Sequence, residues 1–316
     1  MARRTLFGPV PSRRLGRSLG IDLLARKTCT LDCVYCECGP TEELTLERGE
    51  FVPTRAVIDE LDALLADRPA LDSITFSGSG EPTLHVGIGK IIDHLKDRYP
   101  EYPVTVLTNG TLLTDPAVRA ELARADRVVP SLDAVSDAAF TAVNRPHAGL
   151  DNAAIIASLE RFREEYRGQL WLEIFLVPGL NDAPAELDAL AAAAVRIRPD
   201  RVQLNSLDRP PAYAGIEAPT PERLLELACA LDAVLLPALG LHVEIVARQF
   251  VPVPTAAVSP DAARAVLETL RRRPLTLPDV ATQTGLHVHE AHKLVAHLLE
   301  TGQITRTGDF YTLKKD

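Results

Sequence analysis

The sequence lacks any run of eighteen apolar residues, and its first twenty residues contain no apolar core of the kind that signal peptides have. Neither a membrane-spanning nor a secreted protein is expected, and the predicted location is the cytoplasm. Low-complexity tracts and internal repeats are also missing. Since 46% of the residues are hydrophobic and 24% are charged, disordered and fibrous classes are excluded. A length of 316 residues predicts either one large domain or a large domain with an appendage.

An excess of positive charge is missing as well, because the formal net charge is −9. This argues against a protein coated by nucleic acid. Basic residues nevertheless concentrate in residues 1–27, which contain seven Lys or Arg and a single acid, Asp22. Cysteine is scarce but clustered: four of the five cysteines lie within ten residues, at Cys29, Cys33, Cys36 and Cys38. In a chain with no secretion signal, such a cluster favours a metal site over disulfides.

Short apolar runs alternate with amphipathic helical patterns from about residue 18 to residue 247. The predicted strands cover residues 18–24, 73–77, 104–108, 127–131, 170–177 and 201–207, with a possible further strand at 242–246. Helices are predicted near residues 54–66, 87–98, 115–125, 152–166, 184–197 and 220–236. Six β-then-α units predict an α/β fold with a parallel sheet, either open and doubly wound or barrel-like. In both arrangements chemistry gathers at the carboxyl ends of the strands.

The C-terminal part of the chain has a different pattern. Two prolines within four residues predict a linker at residues 251–257, so the predicted domains are residues 1–250 and 258–316. The second contains three helical patterns and then two short strands around Gly308-Asp309, which predicts a winged helix-turn-helix module. Residues 256–316 carry eight Lys or Arg and seven Asp or Glu. This near-neutral balance favours docking of RNA, a peptide or a protein over recognition of duplex DNA.

Cys29, Cys33 and Cys36 follow the first predicted strand with the spacing C-x3-C-x2-C. Three thiolates on one short loop suit a soft metal, and they are one ligand short of a complete four-iron cluster or tetrahedral zinc site. A site with an open position is more often catalytic than structural. The alternative is that Cys38 supplies a fourth ligand and closes a structural zinc or iron–sulfur site.

The stretch Lys27-Thr-Cys-Thr-Leu-Asp-Cys-Val-Tyr-Cys36 resembles the cluster loop of the radical S-adenosylmethionine (radical SAM) superfamily. The resemblance implies a 4Fe-4S cluster held by Cys29, Cys33 and Cys36, with S-adenosylmethionine on the fourth iron and Tyr35 near its adenine. Reductive cleavage of that cofactor would give a 5′-deoxyadenosyl radical that abstracts a hydrogen atom from substrate. It also implies a partial (β/α)6 TIM-like barrel. An external electron donor, flavodoxin or ferredoxin, is expected because no second cluster or flavin motif is visible.

Three further motifs lie at the ends of successive predicted strands. Ser77-Gly-Ser-Gly-Glu-Pro-Thr83 is similar to the Gly-Gly-Glu motif of that superfamily, and Thr108-Asn-Gly110 and Ser131-Leu-Asp133 follow the next two strands. Each also has an ordinary interpretation as a βα turn or a helix cap. Their order favours the cofactor site, and the cofactor contacts so implied are Gly78, Gly80, Glu81, Asn109, Ser131 and Asp133.

The segment Phe7-Gly-Pro-Val-Pro-Ser-Arg-Arg-Leu-Gly-Arg-Ser-Leu-Gly-Ile-Asp22 resembles a subgroup of uncharacterised iron–sulfur oxidoreductases related to the tRNA wyosine-synthesis enzymes, over about residues 5–250. Those tRNA enzymes have a second cysteine cluster, for which only Cys38 and Cys229 remain here. Arg13 and Arg14 are predicted to bind a phosphate or carboxylate group of the substrate. The alternative is that they form ion pairs with acidic residues of this chain. Asn205, after the sixth strand, is a further predicted substrate contact or a turn residue.

The predicted function is therefore a radical SAM enzyme whose unidentified substrate is RNA, a peptide or a metabolite. The rival hypothesis is an iron–sulfur-sensing transcription regulator that uses the C-terminal module. That hypothesis predicts a basic recognition helix, whereas the helical pattern at residues 289–297 exposes one Lys and one Glu. It also gives no reason for the motifs at residues 78–81 and 131–133.

Overall fold

The computed structural model describes residues 5–246, 260–271, 273–284, 286, 291, 294–295, 297–299, 301–307 and 310–314. The chain divides into two compact units. The larger comprises residues 1–220 and 230–247, and the smaller comprises residues 221–229 and 248–316.

The larger unit is an α/β structure built on a predominantly parallel sheet. Its strands are β1 (Leu6–Ser12), β2 (Gly16–Ile21), β3 (Thr28–Cys29), β4 (Glu43–Leu44), β5 (Ser73–Phe76), β6 (Val104–Thr108), β7 (Arg127–Pro130), β8 (Gln169–Phe175), β9 (Arg201–Asn205) and β10 (Val243–Ile245). Eight of them form one sheet in the order β1-β2-β5-β6-β7-β8-β9-β10, and β3 pairs with β4 separately. Only the β1–β2 pair of the large sheet is antiparallel.

Helices connect the parallel strands, as βαβ crossovers require. They are α1 (Thr54–Leu65), α2 (Ile88–Arg98), α3 (Pro116–Glu121), α4 (Asp137–Asn144), α5 (Asn152–Glu165), α6 (Pro184–Ile197) and α7 (Pro221–Leu239), which runs through both units. Side-chain caps begin several of them: Asp115, Ser136 and Asp151 accept hydrogen bonds from the backbone N–H groups of Ala117, Ala139 and Ala154. No helix in the described part of the chain is long and apolar enough to cross a membrane.

Several predicted boundaries were wrong, for local reasons. The first predicted strand extended to residue 24, but β2 ends at Ile21 because the Asp22 carboxylate accepts from the Leu24 N–H and turns the chain. The helix predicted at residues 115–125 ends at Glu121, where the chain tightens into i→i+3 hydrogen bonds. Strand β1 and helix α4 were not predicted, since β1 is rich in proline and glycine and α4 has only eight residues.

The β1–β2 turn contacts strands that lie several positions away in the sheet order. Leu15 in this turn packs against Val129 of β7 and Trp171 of β8, and Arg14 contacts Glu173 of β8 and Gln203 of β9. In a flat sheet β2 and β9 would be five strand spacings apart, roughly 24 Å. The contacts therefore require the sheet to curl, as in a partial barrel closed on one side by the turn.

The smaller unit contains α8 (Pro260–Leu270), α9 (Leu277–Thr284) and the antiparallel hairpin of β11 (Ile304–Thr307) and β12 (Phe310–Leu313). A bridge between Leu275 and Tyr311 adds a further antiparallel pairing to this hairpin. Most of the predicted third helix, at about residues 287–301, and the turn at Gly308-Asp309 lie outside the described residues. The winged-helix arrangement therefore stays a prediction.

Candidate functional site

The cysteine loop leaves the carboxyl end of β2 and is anchored to the connections that follow other strands. The Glu81 N–H, after β5, donates to the Thr28 carbonyl at 3.1 Å. On the other side, the Val34 N–H donates to the Val143 carbonyl of α4 at 2.9 Å. Cys29 is buried, Cys33 and Cys36 are half-buried, and Cys38 is exposed. Backbone hydrogen bonds from two neighbouring connections thus fix the loop that carries the three predicted ligands.

Each of the three predicted ligand sulfurs accepts one side-chain N–H. Asn109 Nδ2 lies 3.5 Å from the Cys29 sulfur, and Asn144 Nδ2 lies 3.4 Å from the Cys33 sulfur. Lys27 Nζ lies 2.9 Å from the Cys36 sulfur. Hydrogen bonds of this kind favour the negatively charged form of sulfur, which is the form that binds metals. The loop therefore supplies three thiols, and the loop and two neighbouring elements together supply one donor for each.

The environment affects the three thiols unequally. Burial raises the pKa of Cys29 to about 11 and raises the pKa of Cys33 well above its usual range. The hydrogen bond from Cys38, together with the Lys27 ammonium, lowers the pKa of Cys36 below its usual range. Burial alone would lower the pKa of Lys27, but the nearby sulfurs raise it. Among the three thiols, Cys36 is thus the one whose thiolate form is most favoured, and a bound metal would have to displace the protons of the other two.

The glycine-rich turn after β5 packs directly on the cysteine loop. A Cβ atom on Gly80 would lie 1.8 Å from the Thr28 carbonyl oxygen, so only glycine fits there. Gly78 has φ +120°, a conformation that favours glycine. Gly80 thus allows the turn to pack against the loop, and Gly78 provides the backbone conformation of the turn; their contact with a cofactor stays a prediction.

Glu81 is buried, and its carboxylate ties the end of β5 to the end of β6. It accepts hydrogen bonds from the Thr83 N–H and hydroxyl, the Thr108 hydroxyl and the Asn109 N–H, at 2.6 to 3.0 Å. Burial raises the pKa of Glu81, while these donors lower it. The Glu81 side chain therefore holds the site together, and its carboxylate points at protein donors.

Asp133 has the same kind of role after β7. It accepts from the Tyr35 hydroxyl at 2.6 Å, from Asn144 Nδ2 at 2.7 Å and from the Phe175 N–H at 2.9 Å. The Tyr35 ring stacks on Phe175 with centroids 3.8 Å apart and planes inclined by 7°. Burial raises the pKa of Asp133. Asp133 thus connects the cysteine loop, α4 and β8.

A small cavity brings most of the predicted cofactor residues together. Tyr35, Asn109, Ser131 and Asp133 all line it. So does Asn144, whose Oδ1 is buried and has no hydrogen-bond partner among the described residues. An unsatisfied buried acceptor next to a predicted ligand cysteine is a place where a bound molecule could donate a hydrogen bond. Glu81 does not line the cavity but reaches it through the Asn109 N–H.

The predicted substrate contacts have partners within the chain. Arg13 pairs with Asp208 and also donates to the Val246 carbonyl. Arg14 pairs with Glu173, and burial lowers its pKa to about 10. These are the ion pairs that the sequence left open as the alternative. Asn205 Nδ2 lies 3.5 Å from Glu173, and its Oδ1 accepts from the Ser206 N–H, as a turn residue would.

Two important asparagines were not assigned from the sequence. Asn144 lies at the end of α4, a helix that the sequence pattern did not reveal. Asn181, in the connection after β8, is buried and structural. Its Nδ2 donates to the Asp133 and Phe175 carbonyls and its Oδ1 accepts from the Val177 N–H, each at 2.8 Å. The contact of Asn144 with Cys33 and that of Asn181 with Asp133 join residues 111 and 48 positions apart, so neither leaves a local sequence signal.

In the described part of the chain, no three His, Cys, Asp or Glu side chains are grouped as ligands of a single metal ion. The suitability of the loop for a multi-iron group therefore rests on its donor set. Three thiols, one N–H donor for each and an adjacent unsatisfied acceptor match the needs of a cysteine-held iron–sulfur cluster with a neighbouring ligand.

Comparisons with known proteins agree with this arrangement. A family model described as the radical SAM superfamily matches residues 26–191. The UPF0026 protein of Methanocaldococcus jannaschii is 31% identical over 72% of this chain and 71% of its own length. A Brachyspira hyodysenteriae protein named GTPase Obg is 39% identical over 65% of this chain, but the match spans only 30% of that protein.

Two solved structures share the fold. A radical SAM methyltransferase from Sphaerobacter thermophilus has a TM-score of 0.55 at 18% identity, covering 73% of this chain and 67% of that one. Streptococcus suis SuiB bound to S-adenosylmethionine has a TM-score of 0.54 at 16% identity, covering 70% of this chain and 49% of that one. At these identities the similarity shows the fold alone.

Proposed function

Because this chain belongs to the radical SAM superfamily, whose members use a 4Fe-4S cluster and S-adenosylmethionine, we propose that it is an enzyme of that chemistry. The observation that carries the proposal is the set of three loop thiols, each with its own N–H donor. We assign Cys29, Cys33 and Cys36 as the cluster ligands. When bound, the cluster supplies the electron that cleaves S-adenosylmethionine into methionine and a 5′-deoxyadenosyl radical for hydrogen-atom abstraction from substrate.

The cofactor would lie between the cysteine loop and the ends of β5, β6 and β7. Tyr35, Asn109, Ser131 and Asp133 line one cavity there, and the Gly78–Gly80 turn brings backbone groups close to the loop. Glu81 and Asp133 contribute by holding this backbone in place, since their oxygens accept protein hydrogen bonds. Asn144 Oδ1 is a further candidate contact because it is buried and unsatisfied.

Exclusion of water is the second task of a protein that handles radicals. Here the segment after β9 lies against the base of the cysteine loop: Leu207, Tyr213 and Ile216 pack on the buried cluster that includes Val34 of the loop. Two polar contacts hold this segment to the cysteine loop: the Tyr213 hydroxyl donates to Asp32 at 2.6 Å, and Arg209 pairs with Glu37 at 2.6 Å. This segment shields the loop on one side.

The substrate is RNA, a peptide or a metabolite in this proposal, and an external flavodoxin or ferredoxin supplies the electron. Arg13, Arg14 and Asn205 become substrate contacts only if the substrate replaces their present carboxylate and backbone partners. We further propose that residues 1–250 form the partial barrel domain and that residues 258–316, after a linker at 251–257, form a winged-helix domain that positions RNA or a peptide.

The test is anaerobic reconstitution of the full chain with iron and sulfide, followed by dithionite and S-adenosylmethionine. Mass spectrometry then measures 5′-deoxyadenosine. Wild type should release it, and Cys33→Ala should not. Cys229→Ala is the matched control, because Cys229 lies outside the loop, and it should behave as wild type. A fully loaded cluster that cleaves no cofactor, and whose EPR signal does not change when the cofactor is added, would refute the enzyme and favour an iron–sulfur sensor.

A further inference from the structure

The donor to the Cys36 sulfur differs from the other two because it carries a full positive charge. Lys27 is buried, with 8% of its surface exposed, and its Nζ lies 2.9 Å from the Cys36 sulfur. Among the described residues, no carboxylate forms an ion pair with it. A buried ammonium is costly unless negative charge compensates it. In this site the compensating charge comes from the cysteine sulfurs.

A cation so close to a ligand sulfur affects the two oxidation states of a cluster differently. Reduction adds one electron, so the reduced cluster is the more negative state and gains more from a nearby positive charge. Proteins adjust the reduction potential of a cluster through hydrogen bonds to the ligand sulfurs and through its burial. Because Lys27 itself is buried, its charge is screened less than that of a surface lysine.

Resting on the proposed function, we propose that Lys27 sets the reduction potential of the cluster through Cys36. The ammonium raises that potential, which makes the cluster easier to reduce by a soluble flavodoxin or ferredoxin. Asn109 and Asn144 add neutral hydrogen bonds to the other two sulfurs, in the same direction and with a smaller effect. Lys27 is thus a positioning residue that acts through a ligand, and it does not touch the substrate.

The neighbouring residue offers a matched control. Arg26 carries the same charge one position earlier, but its side chain is 59% exposed and pairs with Glu43 at 2.7 Å. Solvent and the Glu43 carboxylate screen that charge. Removing it should leave the potential of the cluster unchanged, whereas removing the buried charge of Lys27 should lower it.

The experiment is an anaerobic redox titration of reconstituted wild type, Lys27→Met, Lys27→Arg and Arg26→Met, without substrate. The EPR signal of the reduced cluster is recorded against the solution potential. At a fixed potential, Lys27→Met should show at least a tenfold lower ratio of reduced to oxidised cluster, a shift of about 59 mV for one electron. Lys27→Arg should restore most of this ratio, and Arg26→Met should match wild type.

The outcomes separate the two proposals. Wild type that binds no cluster refutes the proposed function, and it does so before any potential is measured. Loaded Lys27→Met with the potential of wild type overturns the role of Lys27 while leaving the proposed function intact. A variant that binds less than one cluster per chain can still be tested, because the EPR titration measures the reduction potential only of the molecules that hold a cluster. A Lys27→Met protein that holds no cluster at all also overturns the proposal, since Lys27 would then serve assembly.

Discussion

Replacing Gly80 by alanine should displace the cysteine loop. The new Cβ would lie 1.8 Å from the Thr28 carbonyl oxygen and 2.7 Å from Leu24 Cδ1. Carbon–oxygen contacts this short do not occur in folded proteins, and the nearest atom belongs to the backbone, so it cannot rotate away. Gly80 does not have a positive φ, and the conformation itself therefore suits alanine. The whole effect of the substitution comes from this contact.

The magnitude follows from what must move. Forcing an extra methyl group into a packed region costs about 1–3 kcal/mol. The shift would also strain the hydrogen bond from the Glu81 N–H to the Thr28 carbonyl, and a lost hydrogen bond adds roughly 1 kcal/mol. We expect a loss of about 3 kcal/mol in the free energy of unfolding. Because Thr28 directly precedes Cys29, we also expect less iron bound after reconstitution.

Gly49→Ala is the matched control, since its Cβ would meet only the Phe51 ring, at 3.9 Å, an ordinary contact. Urea unfolding followed by circular dichroism, and iron counted per chain, measure both effects. Gly49→Ala should stay within about 0.5 kcal/mol of wild type, as surface substitutions usually do. If Gly80→Ala unfolds like this control and loads the same amount of iron, the contact argument is wrong.

Two further predictions concern single side chains. Tyr35→Phe removes the 2.6 Å hydrogen bond to the buried Asp133 carboxylate and should lower the urea unfolding free energy by about 1.5–3 kcal/mol. Tyr102→Phe, which loses a hydrogen bond to the neutral Pro69 carbonyl, should cost only about 1 kcal/mol. Equal losses for the two variants would contradict the expectation that the hydrogen bond to the Asp133 carboxylate is the stronger one. Burial lowers the pKa of His85, so the folded state favours its neutral ring. Stability from this group should be complete above about pH 6.5 and decline at lower pH. Urea titrations at pH 5 and pH 7.5 should show a smaller decline for His85→Gln, and an unchanged decline would refute this origin.

How far the site could be predicted depended on whether its parts leave local signals. The C-x3-C-x2-C spacing and the glycine-rich turn are contiguous stretches, so the cysteine loop and its βα context were both predictable. The donor to the Cys33 sulfur was not predictable, because Asn144 belongs to a helix with a weak sequence pattern. Arg13 and Arg14 show the same limit: their charge was evident, but Asp208 and Glu173, their partners, lie some 160 to 195 positions away.

The amino-acid sequence by itself determined the parallel α/β order, the three predicted ligands and the family, because alternating apolar patterns and close cysteine spacing are local properties of the chain. Only the tertiary structure decided what surrounds the ligands. The curl of the sheet brings the β1–β2 turn against β8 and β9, and the parallel strands deliver Asn109, Asp133 and Lys27 to one edge. Hydrogen bonds and charge act over a few ångströms in space, whatever the separation along the chain.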